Sequence, residues 1–138
     1  MADYLVDTNH LSVLVTQEHP LRANFVRQMK FGESFAIAAP ALAEMLFGLH
    51  MTPRAKQNIA EWMRLSIIFT YHNIERVDAE LAANLQAELR RHGWQLGTVD
   101  ALLAAVALRY HLTLLTTDRD FQRVPGLNVQ NWLISEAT

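Results

Sequence analysis

The run Tyr4-Leu5-Val6-Asp7-Thr8-Asn9-His10 decides the fold of this chain. Three apolar residues end in an aspartate, and the polar residues after it are of the kind that cap the first turn of a helix. Leu11, Leu14 and Val15 then recur at helical spacing. The run therefore predicts a short buried strand, a tight turn and a helix.

Further strands and helices alternate along the rest of the chain. Strands are predicted over residues 35–39, 72–77 and 112–116, with a last short one near 127–129. Helices are predicted over residues 20–30, from 40 to between 48 and 53, over 53–69, from the N-cap Asp78 to Gly93, and over 98–110. This alternation predicts an α/β fold, a three-layer α/β/α sandwich with a mainly parallel central sheet.

Composition limits what the protein can be. The 138 residues are expected to form one domain, residues 1–138, and 51% of them are hydrophobic, enough for a sizeable core. The absence of cysteine excludes disulfides, thiolate zinc sites and cysteine nucleophiles. The first residues lack a basic signal-peptide segment, and the apolar runs are shorter than a membrane span. We therefore expect a cytoplasmic protein without membrane partners.

The charge balance at first disfavours nucleic-acid binding, because most binders of nucleic acid are basic. Here 14 Asp and Glu face 12 Lys and Arg, for a net charge of −2. Ten of the basic residues are Arg, the type suited to bidentate phosphate contacts. The placement of the charges therefore matters more than their sum.

Four acidic residues are placed where chemistry is expected. Asp7 and Asp118 each follow a predicted strand, Asp100 lies in the first turn of a helix, and Glu44 lies in the first turns of the helix after the second strand. Open parallel sheets bind ligands at the carboxyl ends of their strands. Four carboxylates in one crevice would repel each other, so they favour a hard divalent cation such as Mg²⁺ or Mn²⁺. Such an ion can activate water for attack on a phosphodiester.

Each acid also has an ordinary structural interpretation. Asp7 could cap a helix, Asp100 could interact with a helix dipole, Glu44 could be a solvated helix residue, and Asp118 could form a turn. Glu44 is the hardest to explain in this way, because its neighbours in sequence are apolar and an unpaired buried carboxylate is costly.

Four sequence runs resemble, in order and spacing, the motifs of PIN-domain ribonucleases, and most of all the VapC-type toxins of bacterial toxin–antitoxin pairs. They are residues 5–9 (LVDTN), 40–48 (PALAEMLFG), 97–105 (GTVDALLAA) and 115–121 (LTTDRDF). Residues 124–132 (VPGLNVQNW) are similar to the closing strand of the family. The resemblance covers essentially the whole chain, and four motifs in register are far more specific than any one of them.

The resemblance implies a Mg²⁺- or Mn²⁺-dependent endoribonuclease whose catalytic, metal-binding residues are Asp7, Glu44, Asp100 and Asp118. Asp7 and Asp100 would bind metal directly. It further implies RNA products with 5′-phosphate and 3′-hydroxyl ends, a homodimer, and inhibition by a cognate antitoxin that places a basic side chain near the acids. The family often has Asn at the position of Asp118 and Ser or Thr at that of Ala41.

Substrate contacts are predicted for five further residues. Thr8 and Thr116 match small hydroxyl positions of the family and would position water or phosphate. Arg90, Arg91 and Trp94 precede the Asp100 helix and could clamp or stack on RNA, although a partly buried aromatic at a helix end explains Trp94 somewhat better. The six histidines lack zinc-ligand spacing, and His10 is expected on a helix surface.

Two other functions compete with the nuclease. An aspartyl-phosphate phosphatase of the haloacid dehalogenase type would also place Asp after the first strand, but its second acid, two residues later, is Asn9 here. A non-catalytic PIN-like interaction module has no need for four acids that repel one another. Both alternatives are therefore less well supported than the nuclease.

Overall fold

The computed structural model describes residues 3–16 and 18–133, which contain five strands and six α-helices. The strands are β1 (Asp3–Val6), β2 (Ser34–Ala38), β3 (Phe69–His72), β4 (Thr113–Leu115) and β5 (Val129–Gln130). The helices are α1 (Thr8–Leu14), α2 (Pro20–Lys30), α3 (Ala39–His50), α4 (Ala55–Leu65), α5 (Arg76–Arg91) and α6 (Thr98–Arg109). Short 3₁₀ turns span Ser66–Ile68 and Arg119–Arg123. No helix in this part of the chain is long and apolar enough to cross a membrane.

The strands form one sheet in the order β3-β2-β1-β4-β5, and every pairing is parallel. In the centre, Leu5 of β1 aligns with Ala36 of β2 on one side and with Leu114 of β4 on the other. All three side chains are buried, as expected for strands covered on both faces. The predicted α/β sandwich with a parallel central sheet is confirmed.

The helices form two groups around this sheet. In the first group α1 packs against α2 and α3, and α3 packs against α4, while in the second α5 packs against α6. The ring of Phe25 in α2 lies 4.1 Å from that of Phe35 in β2, and both rings contact Trp132 near the end of the described chain. This aromatic cluster fixes α2 and the segment after β5 against the sheet.

The predicted third strand, residues 72–77, is wrong. The third strand is β3, which begins at Phe69 and pairs with β2. It can begin there because the helix predicted over 53–69 ends earlier, at Leu65. Glu75 is the N-cap of α5 and forms a capping box with Asp78, which lies at the third helical position. Asp78 is therefore not the N-cap, and Val77 is helical.

Asp78 instead joins the two helices of the second group. Its side chain is fully buried and accepts hydrogen bonds from Arg109 of α6, at 2.7 Å from Nε and 2.8 Å from Nη2. Burial alone would raise the pKa of Asp78, but these hydrogen bonds outweigh it and hold the pKa below its usual value. The bidentate pair connects α5 to α6.

The buried face of α4 also differs from the prediction. The spacing of Ile59, Trp62, Met63 and Ile67 in the sequence predicts one apolar side for this helix, but Trp62 is buried while Met63 and Ile67 are exposed. Glu61 takes part in the buried face, where Arg22 of α2 donates a 2.6 Å hydrogen bond to its carboxylate. A charged residue can occupy a helix core face when it is paired in this way.

Candidate active site

The candidate site lies between the carboxyl ends of β1 and β4. The chain leaves β1 towards β2 and β3 on one side of the sheet, and returns to place β4 on the other side of β1. Ligands of open α/β sheets bind at such a switch point. Asp7 follows β1 directly, Thr116 follows β4 directly, and the Asp7 amide donates to the Leu115 carbonyl at 3.0 Å.

Asp7 is buried, with 8% of its surface exposed. One carboxylate oxygen accepts a 2.8 Å hydrogen bond from the Thr8 amide and the other a 2.8 Å bond from the Thr116 hydroxyl. Burial raises the pKa of Asp7, the two hydrogen bonds lower it in part, and the nearby charges of Glu44 and Asp118 raise it again. The net effect is a raised pKa and a carboxylate fixed in orientation.

Thr116 connects the two strand ends through its hydroxyl. Besides donating to Asp7, this oxygen accepts from the Asp118 amide at 3.1 Å and lies 3.4 Å from the Asn9 side-chain nitrogen. A hydroxyl offers one donor and two acceptor positions. All three are used within the protein, so Thr116 holds the carboxylates in place.

Thr8 positions Glu44. Its hydroxyl donates to the Glu44 carboxylate at 3.1 Å and lies 3.4 Å from the Ala41 carbonyl, which joins the start of α1 to α3. The Glu44 side chain is exposed, so it does not bear the cost of burial that its apolar neighbours in sequence suggest. Ala41 is buried, and no hydroxyl stands at that position to make a similar contact.

Asp100 lies in the first turn of α6 and is half-buried. Burial, followed by the negative charges of Asp7, Asp118 and Glu44 and then Asp120, raises the pKa of Asp100 to about 6. Asp118 is half-buried and accepts a 2.9 Å bond from the Asp120 amide at the start of a 3₁₀ turn. The structure thus brings the four acids predicted from the sequence into one electrostatic neighbourhood, with Asp120 at its edge.

The donor set fits a hard cation by its chemistry. The four acids offer only carboxylate oxygens, which Mg²⁺ and Mn²⁺ prefer. The pKa values of Asp7 and Asp100 are raised first by burial and then by the neighbouring carboxylates, and a cation would relieve this second contribution. Within the described part of the chain, no three Asp, Glu or His side chains converge closely enough, as they stand, to hold an ion. An ion held by three of these side chains would require them to move closer together.

His10 supports the site from beneath, a role that the sequence did not reveal. It is fully buried in α1, so the prediction of a surface position is wrong. The Trp132 amide donates to Nε2 at 3.0 Å, which leaves the proton on Nδ1, and Nδ1 donates to the Asn9 side-chain oxygen at 2.7 Å. Burial lowers the pKa of His10 to about 4, so the ring is neutral at pH 7.

Asn9 carries this contact to the acids. Its side-chain oxygen also accepts from the Thr117 amide at 3.2 Å, and its nitrogen lies 3.4 Å from both the Asp7 carboxylate and the Thr116 hydroxyl. Asn9 thereby links both strand ends to His10. Its place two residues after Asp7 was the only signal of this role in the sequence.

The remaining residues predicted to contact substrate, Arg90, Arg91 and Trp94, lie at and just after the end of α5. Arg90 and Trp94 line a cleft that also contains Asp120. Arg91 is exposed, forms an ion pair with Glu88 at 3.0 Å, and is not among the residues that line this cleft. The structure therefore separates Arg91 from the other two.

These observations define an α/β domain with four acidic residues at its switch point, Asp7, Glu44, Asp100 and Asp118. We call these four residues the acidic pocket. Residues 4–127 match the family model of the PIN domain, and the chain belongs to the PIN domain family. The resemblance seen in the four sequence runs is confirmed.

The relatives narrow the class further. The chain is 28% identical over 134 residues to ribonuclease VapC2 of Rickettsia felis, covering 94% of this chain and 97% of the relative. It is 23% identical over 133 residues to the tRNA(fMet)-specific endonuclease VapC of Shigella flexneri, covering 96% of this chain and 99% of the relative.

Two solved structures share the fold. The crystal structure of VapBC2 from Rickettsia felis bound to a promoter DNA fragment matches with a TM-score of 0.82 and 23% identity, over 94% of this chain and 98% of that one. The DNA-bound VapBC structure from Salmonella typhimurium matches with a TM-score of 0.79 and 22% identity, over 96% and 99% of the two chains.

Proposed function

We propose that this protein is a Mg²⁺- or Mn²⁺-dependent endoribonuclease and the toxin of a VapBC-type toxin–antitoxin pair. The observation that carries the proposal is the electrostatic coupling of four acids at the switch point: burial, followed by the charges of Asp7, Asp118 and Glu44, raises the pKa of Asp100 to about 6. Relatives that align over nearly the whole chain are named ribonucleases, which supports the same reaction.

The divalent ion, when bound, neutralises charge on the scissile phosphate and lowers the pKa of the attacking water. Asp7 and Asp100 are proposed as its direct ligands, since they are the strongest matches to the acidic positions of the family. Glu44 would bind the ion directly or through water, oriented by the Thr8 hydroxyl. Asp118 would complete the site or orient the attacking water, held by the contact between its amide and Thr116.

The two alternatives have no comparable support. An aspartyl-phosphate phosphatase would need a second acid where Asn9 stands, and the Asn9 side chain is occupied with Asp7, His10 and Thr117. A pure binding module would gain nothing from four carboxylates that repel one another.

The proposed protein partners are a cognate antitoxin and a second copy of the chain. Solved structures of this fold include VapBC complexes and a toxin–antitoxin complex from Klebsiella pneumoniae. Phe47 of α3, Met51 directly after α3 and Met63 of α4 expose more than 60% of their surface on two helices that pack together, and contiguous exposed apolar surface is typical of protein interfaces. An antitoxin that also placed a basic side chain near the acids would be attracted by their charge.

Cleavage of purified RNA tests the proposal. The protein is incubated with structured RNA and Mg²⁺ or Mn²⁺, with and without EDTA, beside Asp7→Asn and Asp100→Asn. Glu80→Gln, which changes an exposed acid of α5 paired with Arg76, is the matched control. We expect metal-dependent cleavage with 5′-phosphate ends, lost in the two site variants and kept in the control. Cleavage that survives both substitutions, or that proceeds in EDTA, would exclude the proposed site.

A further inference from the structure

A polar cleft adjoins the acidic pocket. It lies between the end of α5, the loop of residues 92–97 and the 3₁₀ turn Arg119–Arg123. Two connected cavities, of about 540 and 320 Å³, share Arg90, Trp94 and Gln95 among their lining residues. Volumes of roughly 300–1,000 Å³ are typical of sites that hold a small molecule or a nucleotide-sized group.

Trp94 and Arg123 form a cation–π pair in this cleft. Trp94 is 39% exposed, and the guanidinium of Arg123 lies over its indole ring, 5.0 Å from the ring centroid. The His92 ring stacks beside the same indole at 6.0 Å. Single-stranded nucleic acids bind to such combinations of an aromatic ring and a cation, because every base has a face that can stack.

The cations of the cleft are available to a ligand. Ion pairs with Asp or Glu occupy Arg22, Arg64, Arg76, Arg91 and Arg109. Within residues 3–16 and 18–133, Arg90 and Arg123 make no such pair. Two guanidinium groups without carboxylate partners, in the same cleft as a partly exposed indole, can bind the phosphates that flank a stacked base.

The cleft adjoins the four acids through Asp120 and Thr98. Asp120 lines the larger cavity, and its amide donates to the Asp118 carboxylate at 2.9 Å. Thr98 lines the smaller cavity and stands two residues before Asp100 at the start of α6. An RNA strand with its scissile phosphate at the acids would therefore reach this cleft with a neighbouring nucleotide.

We propose that Trp94, Arg123 and Arg90 form a nucleotide-binding subsite of the RNA substrate. The base of one unpaired nucleotide near the scissile phosphate stacks on Trp94, and its flanking phosphates bind Arg90 and Arg123. This inference rests on the proposed ribonuclease function. It assigns a positioning role to Arg123, which the sequence did not single out, and none to Arg91.

RNA binding in the absence of metal tests the subsite. The probe is a short, unstructured, fluorescein-labelled oligoribonucleotide, and its dissociation constant is measured by anisotropy in EDTA over a series of KCl concentrations. Trp94→Ala should weaken binding by roughly 5- to 100-fold without changing the salt dependence. Arg90→Gln and Arg123→Gln should each weaken binding and reduce the slope of log K against log salt by about 0.7, the effect of one lost phosphate contact.

Two variants control for general effects. Arg76→Gln removes a cation at the other end of α5, where Arg76 is paired with Glu80, and should leave both affinity and slope unchanged. Trp94→Phe keeps a stacking ring and should retain most of the affinity. RNA should quench the intrinsic fluorescence of the wild type, and Trp94→Phe should lose that quenching although it still binds.

The outcomes separate the subsite from the proposed function, because cleavage of the same RNA with Mg²⁺ is measured in parallel. If the wild type cleaves RNA but the substitutions at Trp94, Arg90 and Arg123 leave affinity and slope unchanged, the subsite is wrong and the nuclease stands. If these signatures appear but no cleavage occurs, the subsite stands and the nuclease is wrong. Failure of the wild type to bind the probe at low salt also overturns the subsite.

Discussion

Replacement of His10 by glutamine tests the buried support beneath the acidic pocket. Glutamine cannot take up a proton in this pH range, whereas burial lowers the pKa of His10 from 6.5 to about 4. Between these values the unfolded chain binds the proton and the folded protein does not. His10 therefore contributes its full stability above pH 6.5, and that contribution is lost as the pH falls towards 4.

The magnitude follows from the difference in pKa. A shift of this size corresponds to a total of about 3 kcal/mol, of which linkage places about 2 kcal/mol between pH 7 and pH 5. The raised pKa values of Asp7 and Asp100 act in the opposite direction, since the folded protein takes up protons on these groups more readily than the unfolded chain. The His10 contribution must therefore be read as a difference between wild type and variant.

The assay is urea unfolding, followed by circular dichroism in EDTA at pH 7 and pH 5. Between the two pH values the wild type should lose about 2 kcal/mol more of its free energy of unfolding than His10→Gln does. His50→Gln, which changes an exposed histidine at the end of α3, should behave as the wild type. Equal losses in the wild type and His10→Gln would refute the buried, neutral His10 and its hydrogen bonds to Asn9 and Trp132.

Three further predictions concern Asp100, Thr116 and Arg109. In EDTA at pH 7, Asp100→Asn should raise the free energy of unfolding by about 1 kcal/mol, because it removes a partly buried charge and its repulsion by the other acids. This gain should vanish below about pH 4 and is measured by urea unfolding. Thr116→Val should reduce the initial rate of RNA cleavage at least about tenfold because Asp7 loses its hydroxyl donor, while Thr116→Ser should retain activity. Arg109→Met should cost about 3–5 kcal/mol in denaturant unfolding because Asp78 is left buried and unpaired, and adding Asp78→Leu should recover part of that loss.

The sequence predicted the central strands well because they are buried on both faces. β1, β2 and β4 lie within one residue of apolar runs bounded by polar or Pro residues. β3 is an edge strand that exposes Thr70 and Tyr71, so it lacks an apolar run, and the prediction shifted to residues 72–77. Apolar patterns locate strands that are covered, and they miss strands that are half exposed.

At the site, local sequence patterns also located some residues and missed others. Asp7 and Asp118 follow strands and Asp100 lies in the first turn of α6, so topology alone brings these three acids to one edge of the sheet. Glu44 lies in the second turn of α3, and its contact with Thr8 orients it towards the same site. The role of His10 depends on a contact with Trp132, 122 residues further along the chain, and no local pattern reveals it. Glu61 likewise looks like a surface residue until Arg22 is placed beside it.

The arrangement of charge explains how a chain of net charge −2 could act on RNA. Without Asp7, Glu44, Asp100 and Asp118, the chain has 10 acidic and 12 basic residues. Several of these basic residues form ion pairs with Asp or Glu. The attraction for phosphate therefore comes from the basic residues without such a pair, and among them Arg90 and Arg123 lie next to the acidic pocket.

Under the proposed function, the metal-free pocket repels a phosphate that the cleft attracts. The two effects act on the same RNA strand, so the nucleotide in the cleft would hold the substrate near the acids before the scissile phosphate can settle. A divalent ion would then reverse the sign of the interaction only at the pocket. The affinity for RNA should accordingly rise with Mg²⁺ in the wild type, and this rise should be smaller in Asp100→Asn, whereas substitutions at Arg90 should lower affinity equally with and without the ion.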